Sequence, residues 1–203
     1  MLGKPLEYFD TAARRIFTDP EYPDGARAQI EWILRGGATP NGIYGVKVFP
    51  SHVDRIATEI RWADALPNLE FVHLVRRDLL GQAMSLHRAN QTQQWRSTSP
   101  VRAEPVYDAD GILHCLQVIV RDRVRWMKFF ARTGIEPLRL VYEDVVERPQ
   151  SAVDAVAGLM NVTPPPRIDE DVLAFSVQRD SLTDSWRARF LQEHADPNSM
   201  DVI

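Results

Sequence analysis

The chain has 203 residues, of which 44% are hydrophobic and 26% charged, and it carries a formal net charge of -4. That size and balance fit a single globular domain over 1–203 with a full hydrophobic core, and give no reason to expect a nucleic-acid partner. No run approaches the ~18 consecutive apolar residues of a membrane-crossing helix, and the opening MLGKPLEYFD lacks the apolar stretch and cleavage site of a secretory signal.

In chain order, Glu7 to Phe17 is predicted as a short helix ending near Asp19-Pro20. Asp24 is predicted to cap a second helix, ARAQIEWILR, that Gly36-Gly37 stop through left-handed geometry. After the Pro40-Asn41-Gly42 turn, IYGVKVF reads as a strand. Pro50 closes it, and a helix runs from Ser51 to about Ala65. LEFVHLV is the strongest strand, nearly continuously apolar, as suits an interior parallel strand covered on both faces. Asp78 caps the next helix, LLGQAMSLHRANQTQQW. Ser97 to Tyr107 is a loop able to cross a site, followed by a long helix from Ala109 to Arg132 that ends at Gly134. PLRLVYED is a third strand, Pro149 opens a helix ending near Asn161, and Pro164-Pro165-Pro166 forms a stiff linker. Helical segments around Val172 and from Asp184 to Glu193 close the chain. The strand–helix alternation predicts an α/β fold, a parallel sheet wrapped by helices. Ligands in such sheets sit at the carboxyl ends of strands, here Lys47, Arg76, Arg77 and Tyr142-Glu143-Asp144.

Of the 24 basic residues only Lys4, Lys47 and Lys128 are lysine. Arginine suits planar, bidentate contacts with phosphate or carboxylate. Arg76 and Arg77 end the LEFVHLV strand, and Ser85 lies about two turns into the following helix. Such a guanidinium and hydroxyl, with the helix N-terminus, could share one phosphate. On spacing alone, solvated strand-end arginines and an incidental serine are the favoured reading, because a strand-Arg-Arg-Asp-helix junction is common. Glu7 alone reads as a first-turn helix glutamate, and Lys47 as a strand-edge lysine reaching water. Trp95 and Trp186 read as core or interface tryptophans. His52, His73, His87, His114 and His194 show no metal-ligand spacing. His73 reads as a hydrogen-bonded core histidine. The lone Cys115 reads as inert packing on a helix face, and with no partner for an internal disulfide it fits a reducing, cytoplasmic compartment.

GKPLEYF, TPNGIYGVKVF, FVHLVRRDLLGQAMSLHRANQTQQWR, GIEPLRLVYEDV and QRDSLTDSWRARF occur in this order and nearly span the chain. Together they resemble the bacterial trehalose 2-sulfotransferase family, part of the wider sulfotransferase fold. The resemblance implies a three-layer parallel sheet flanked by helices, of the type shared with P-loop nucleoside triphosphate hydrolases. It implies transfer of a sulfuryl group from 3′-phosphoadenylyl sulfate (PAPS) to a hydroxyl of a carbohydrate such as trehalose, without a metal. Arg77 and Ser85 would hold the donor's 3′-phosphate, with Arg76 the alternative if the register slips by one. Glu7 would be the general base and Lys47 would approach the transferring group. Arg88, Gln91, Thr92 and Trp95 would lie near donor and acceptor. Family members are often dimers, which leaves a homodimer open.

The sequence also departs from the family. Val177 stands where an arginine is expected. The family's first strand and the loop that cradles the 5′-phosphosulfate do not appear before Gly3-Lys4-Pro5, so the chain is expected to be N-terminally incomplete or to have a rearranged sheet. A non-catalytic binding module that kept the 3′-phosphate half of the site is the alternative reading. A kinase-like reading would need G-x-x-x-x-G-K-[ST], which the sequence lacks.

Overall fold

The computed structural model describes residues 1–17, 19–95, 99–169, 180–198 and 200. The chain enters extended, alongside residues 44–47. Gly3 takes φ +82°, and a Cβ there would lie 2.6 Å from the backbone of Tyr44 and Gly45, so only glycine permits this approach. Leu6 bridges Val46 in parallel and Tyr44 bridges Ala38 antiparallel, each at a single residue. The predicted strand IYGVKVF is therefore two isolated bridges. The Leu6 amide donates back to the Lys4 carbonyl and the Tyr8 amide to that of Leu6, so neither is free to extend a ladder.

Helix α1 spans Thr11–Phe17. It begins after Glu7, because the Asp10 carboxylate accepts the Ala13 amide and caps it there. Helix α2, Ala26–Trp32, continues into a wider turn over Ile33–Gly37. Asp24 does not cap α2. It pairs with Arg15 at 2.8 Å, and the Ala26 amide donates instead to Glu59. Neither Gly36 nor Gly37 has a positive φ. Gly37 makes room instead, since a Cβ there would sit 2.8 Å from the Tyr8 hydroxyl. The stretch expected as one helix to Ala65 is two, α3 (Pro50–Ala57) and α4 (Trp62–Ala65). The Thr58 hydroxyl donates back to the Arg55 carbonyl where the first ends.

Strand β1 (Val72–Val75) pairs in parallel with β2 (Leu138–Val141), from Val72↔Leu138 to Val75↔Val141. Helices α5 (Leu79–Thr92) and α6 (Ala109–Thr133) connect them, and Gly134 ends α6 in the left-handed region at φ 69°. Among the described residues, strand β1 is covered on one face. His73 packs on the Phe130 ring of α6 at 5.3 Å, while Val72 and Leu74 on the other face are 44% and 56% exposed. His73 is thus half-buried against an aromatic ring rather than a hydrogen-bonded core residue. The tract PLRLVYED is a strand only to Val141, where α7 (Tyr142–Glu147) begins, followed by α8 (Pro149–Leu159) and α9 (Ser181–His194). The predicted helix around Val172, and Val177 itself, lie outside the described residues, as do residues 96–98 of the loop before α6.

The described core has two clusters. Tyr8, Phe9, Tyr22, Ile30, Ile33, Ile56 and Leu66 form one around the N-terminal segment. Ala83, Met84, Ile112, Cys115, Trp186 and Phe190 form the other, where α5, α6 and α9 meet. Cys115 is buried there, as its apolar helix face predicts. Trp186 packs between His87 and Tyr107, which makes it a core tryptophan. No helix among the described residues is long and apolar enough to cross a membrane.

Candidate functional site

The β1–β2 register sets Arg76-Arg77-Asp78 beside Tyr142-Glu143-Asp144. The Arg76 guanidinium stacks over the Tyr142 ring at 4.6 Å. Both Glu143 carboxylate oxygens accept the Arg77 amide at 3.1 Å, and Oε1 also accepts the Asp78 amide at 3.2 Å. Asp144 takes the Arg77 guanidinium in a two-pronged pair at 2.9 and 3.1 Å. Burial works against ionisation of Glu143, but the backbone amides of Arg77, Asp78 and Glu143 itself, with the Arg77 charge, outweigh it, so its carboxyl titrates below the usual range. Hydrogen bonds from Arg77 pull Asp144 down as well. Both acids are charged at neutral pH and meet the arginines as anions. The Nε of Arg76 is buried without a hydrogen-bond partner, 4.0 Å from Glu143.

Asp78 caps α5 as predicted, accepting the Gly81 amide at 2.9 Å, and its other oxygen pairs with Arg187 of α9 at 2.5 Å. Ser85 is exposed on α5. Arg88, one turn on, pairs with Asp180 at 2.6 Å. Gln91 is engaged with main chain: it accepts the Val106 amide at 2.7 Å and donates to the Val106 carbonyl at 2.9 Å, with His87 also 2.8 Å from its amide nitrogen. It therefore braces the loop ahead of α6. Trp95 is 50% exposed. The helix carries Ser85, Arg88 and Gln91, but it ends at Thr92, where Gln93 turns left-handed at φ 56°, so Trp95 lies past the helix expected to include it.

A second cluster forms where the N-terminal segment meets residues 46–52. The Lys47 ammonium lies 2.6 Å from Glu7 Oε1. Glu7 sits outside any helix, so its charge answers to Lys47 and not to a helix dipole. The flanking backbone is pinned by buried phenols: Tyr22 donates to the Tyr8 carbonyl at 2.8 Å, and Tyr8 to that of Lys4 at 2.9 Å. Burial raises both phenol pKa values, which keeps them as donors. Asp10 and His52 join Glu7, with potential ligand atoms of all three within 4.8 Å. Such a donor set suits a divalent cation, although the Lys47 ammonium already brings positive charge to Glu7. The histidine spacing in the sequence did not foreshadow this meeting. Burial lowers the His52 pKa and favours the neutral ring. An open depression of about 480 Å³ lies alongside, lined by Phe9, Asp10, Ser51, His52 and Arg55 among others.

Sequence reasoning did not single out Asp10, His52 or Asp180. Asp10 sits one turn on from Glu7, its amide donating to the Glu7 carbonyl at 3.0 Å, whereas His52 reaches Glu7 from α3. The E-x-x-D spacing of Glu7 and Asp10 was the one local sign of the first.

A small parallel sheet among helices, with clustered arginines at its carboxyl edge, defines an α/β protein whose charged groups gather where such sheets take ligands. The chain belongs to the Stf0 sulphotransferase family, which it matches over residues 6–193. It is similar to the trehalose 2-sulfotransferase of Mycobacterium tuberculosis, 30% identical across 95% of this chain and 80% of the relative. It is 26% identical to the trehalose 2-sulfotransferase of Mycolicibacterium smegmatis, with the same coverage of both chains. By family this is a sulfotransferase, as the order of its motifs implies.

Proposed function

We propose that the protein transfers the sulfuryl group of PAPS to a hydroxyl of a carbohydrate, and that trehalose, named in both relatives, is the acceptor to try first. The reading extends to one domain over 1–203 with the three-layer sheet of the sulfotransferase fold. The observation that carries it is the Glu7–Lys47 pair at 2.6 Å. Sulfuryl transfer needs a group to take the acceptor's proton and a cation beside the oxygens that gain charge, and this pair offers both in one place.

The step balances simply. The acceptor oxygen bonds to sulfur while Glu7 takes its proton. The bond from sulfur to the donor's bridging oxygen breaks, and adenosine 3′,5′-bisphosphate leaves with that electron pair. Lys47 supplies positive charge beside the transferring group. Arg77 and Ser85, with Arg76 alongside, hold the 3′-phosphate. The unpartnered Arg76 Nε and the exposed Ser85 hydroxyl support this assignment. Arg77 carries its charge into the site while tethered by Asp144, so the phosphate shares or displaces that carboxylate. Arg88, Gln91 and Trp95 border the acceptor, Trp95 offering an exposed ring to a sugar face.

Transfer of labelled sulfate from PAPS to a panel of sugars tests the activity, with trehalose expected to carry the label. Calorimetry with adenosine 3′,5′-bisphosphate tests the donor site. Wild type is expected to bind at least tenfold more tightly than Arg77→Ala, and equal affinities would refute the phosphate assignment.

A further inference from the structure

We infer that Glu143 is a positioning residue for the donor's 3′-phosphate: it holds the backbone from which Arg76 and Arg77 project. The inference rests on the proposed function, which places that phosphate at the end of β1. The first amides of a helix have no carbonyl one turn back to accept them. In the turn that enters α5, the amide of the N-cap Asp78 and that of Arg77 before it both donate to one carboxylate, that of Glu143, at 3.1–3.2 Å. Glu143 lies in the first turn of α7, just past the end of the neighbouring strand, and the Val75↔Val141 pairing fixes its level. Tyr142, one residue earlier, stacks on Arg76, and Asp144, one residue later, takes Arg77. The two tripeptides are thus clasped position by position, with Glu143 gripping main chain where its neighbours touch side chains.

The charge of Glu143 cannot itself attract a phosphate. A carboxylate 4.0 Å from the Nε of both Arg76 and Arg77 repels an incoming anion. Its benefit is geometric: it fixes the main chain of the turn that carries both guanidiniums. Oε1 alone reaches both amides, so a glutamine oxygen can do the same work without the repulsion.

The test measures two nucleotides on the full chain by calorimetry: adenosine 3′,5′-bisphosphate, and adenosine 5′-monophosphate, which lacks the 3′ group. Glu143→Ala is expected to weaken the bisphosphate at least tenfold and leave the monophosphate unchanged. Glu143→Gln is expected to bind the bisphosphate within about threefold of wild type. An equal loss for both nucleotides would mark Glu143 as merely structural and overturn the inference, as would unchanged bisphosphate affinity in Glu143→Ala. Arg77→Ala serves as control: if it also binds like wild type, the phosphate-site reading has failed and not only the role of Glu143. Should Glu143→Ala not fold, amide hydrogen exchange in the wild type decides. The Arg77 and Asp78 amides must be protected in wild type and in Glu143→Gln, and free exchange in the folded wild type rejects the clasp.

Discussion

The Lys47 ammonium and the Glu7 carboxylate meet at 2.6 Å although forty residues of chain separate them. What joins them is the single bridge Leu6↔Val46, in which the Lys47 amide donates to the Leu6 carbonyl at 2.9 Å. The backbone contact sets both side chains on one side of the paired segments. Replacing the carboxylate by an amide removes the proton acceptor and keeps the shape. Glu7→Gln is therefore expected to lower kcat by ~10²–10⁴-fold. Affinity for adenosine 3′,5′-bisphosphate should not change. Lys47→Met is expected to lower kcat by ~10²-fold through lost charge stabilisation. Initial rates with saturating PAPS check both, and an undiminished kcat in Glu7→Gln removes Glu7 from the chemistry.

Tyr22 anchors the same segment from below. Its ring is fully buried and its hydroxyl donates to the Tyr8 carbonyl. Tyr22→Phe leaves that carbonyl without its buried partner and should cost about 1–2 kcal/mol in urea unfolding. Because Tyr8 follows Glu7 directly, kcat should fall along with stability.

Asp78 does two jobs at once, capping α5 and pairing with Arg187. Asp78→Ala removes a cap worth about 1 kcal/mol and strands a half-buried guanidinium, for a total near 2–3 kcal/mol. Asp78→Asn keeps the cap and should lose only the ionic part. Equal losses in the two variants would show that the cap contributes little.

Asp180 adds a pH dependence. Burial pushes its carboxyl up, but the Thr183 amide and the Arg88 guanidinium outweigh this and bring its pKa down to about 2. A carboxyl depressed in the folded state stabilises above its unfolded pKa of about 3.9 and loses that contribution as pH falls toward the folded value. Asp180 is 44% exposed and its Arg88 partner 29%, so solvent screening keeps the effect below about 1 kcal/mol. Wild type should melt above Asp180→Asn at pH 6, and the gap should close between pH 4 and pH 2. A gap that persists at pH 2 would show that the stabilisation does not come from this ionisation.

Local chemistry made part of the fold legible. The Asp78 cap, the Gly134 stop after α6 and the Pro149 start of α8 depend on residues within one helical turn, and all lie where the sequence places them. The failures have a common cause. Asp24 has the side chain of a cap, but Arg15 takes it and Glu59, far along the chain, serves the helix start instead. IYGVKVF has strand composition, but a strand needs a neighbour with free amides, and the entry segment uses its amides locally. LEFVHLV has the apolar content of a two-faced interior strand, but His73 packs against Phe130 of α6 while Val72 and Leu74 on the other face stay exposed.

The site divides in the same way. The sequence by itself determined the family and the arginine pair ahead of a capped helix, and marked Glu7, Lys47 and Ser85 as candidates, because motif order and helix spacing are properties of a linear chain. Only the tertiary structure decided what those charges face: Lys47 on Glu7, Asp144 on Arg77, Glu143 on the turn that carries both arginines, Asp180 on Arg88. A charge takes its partner from whatever packing brings within about 4 Å, and the parallel register of β1 and β2 sets that distance for the arginine pair.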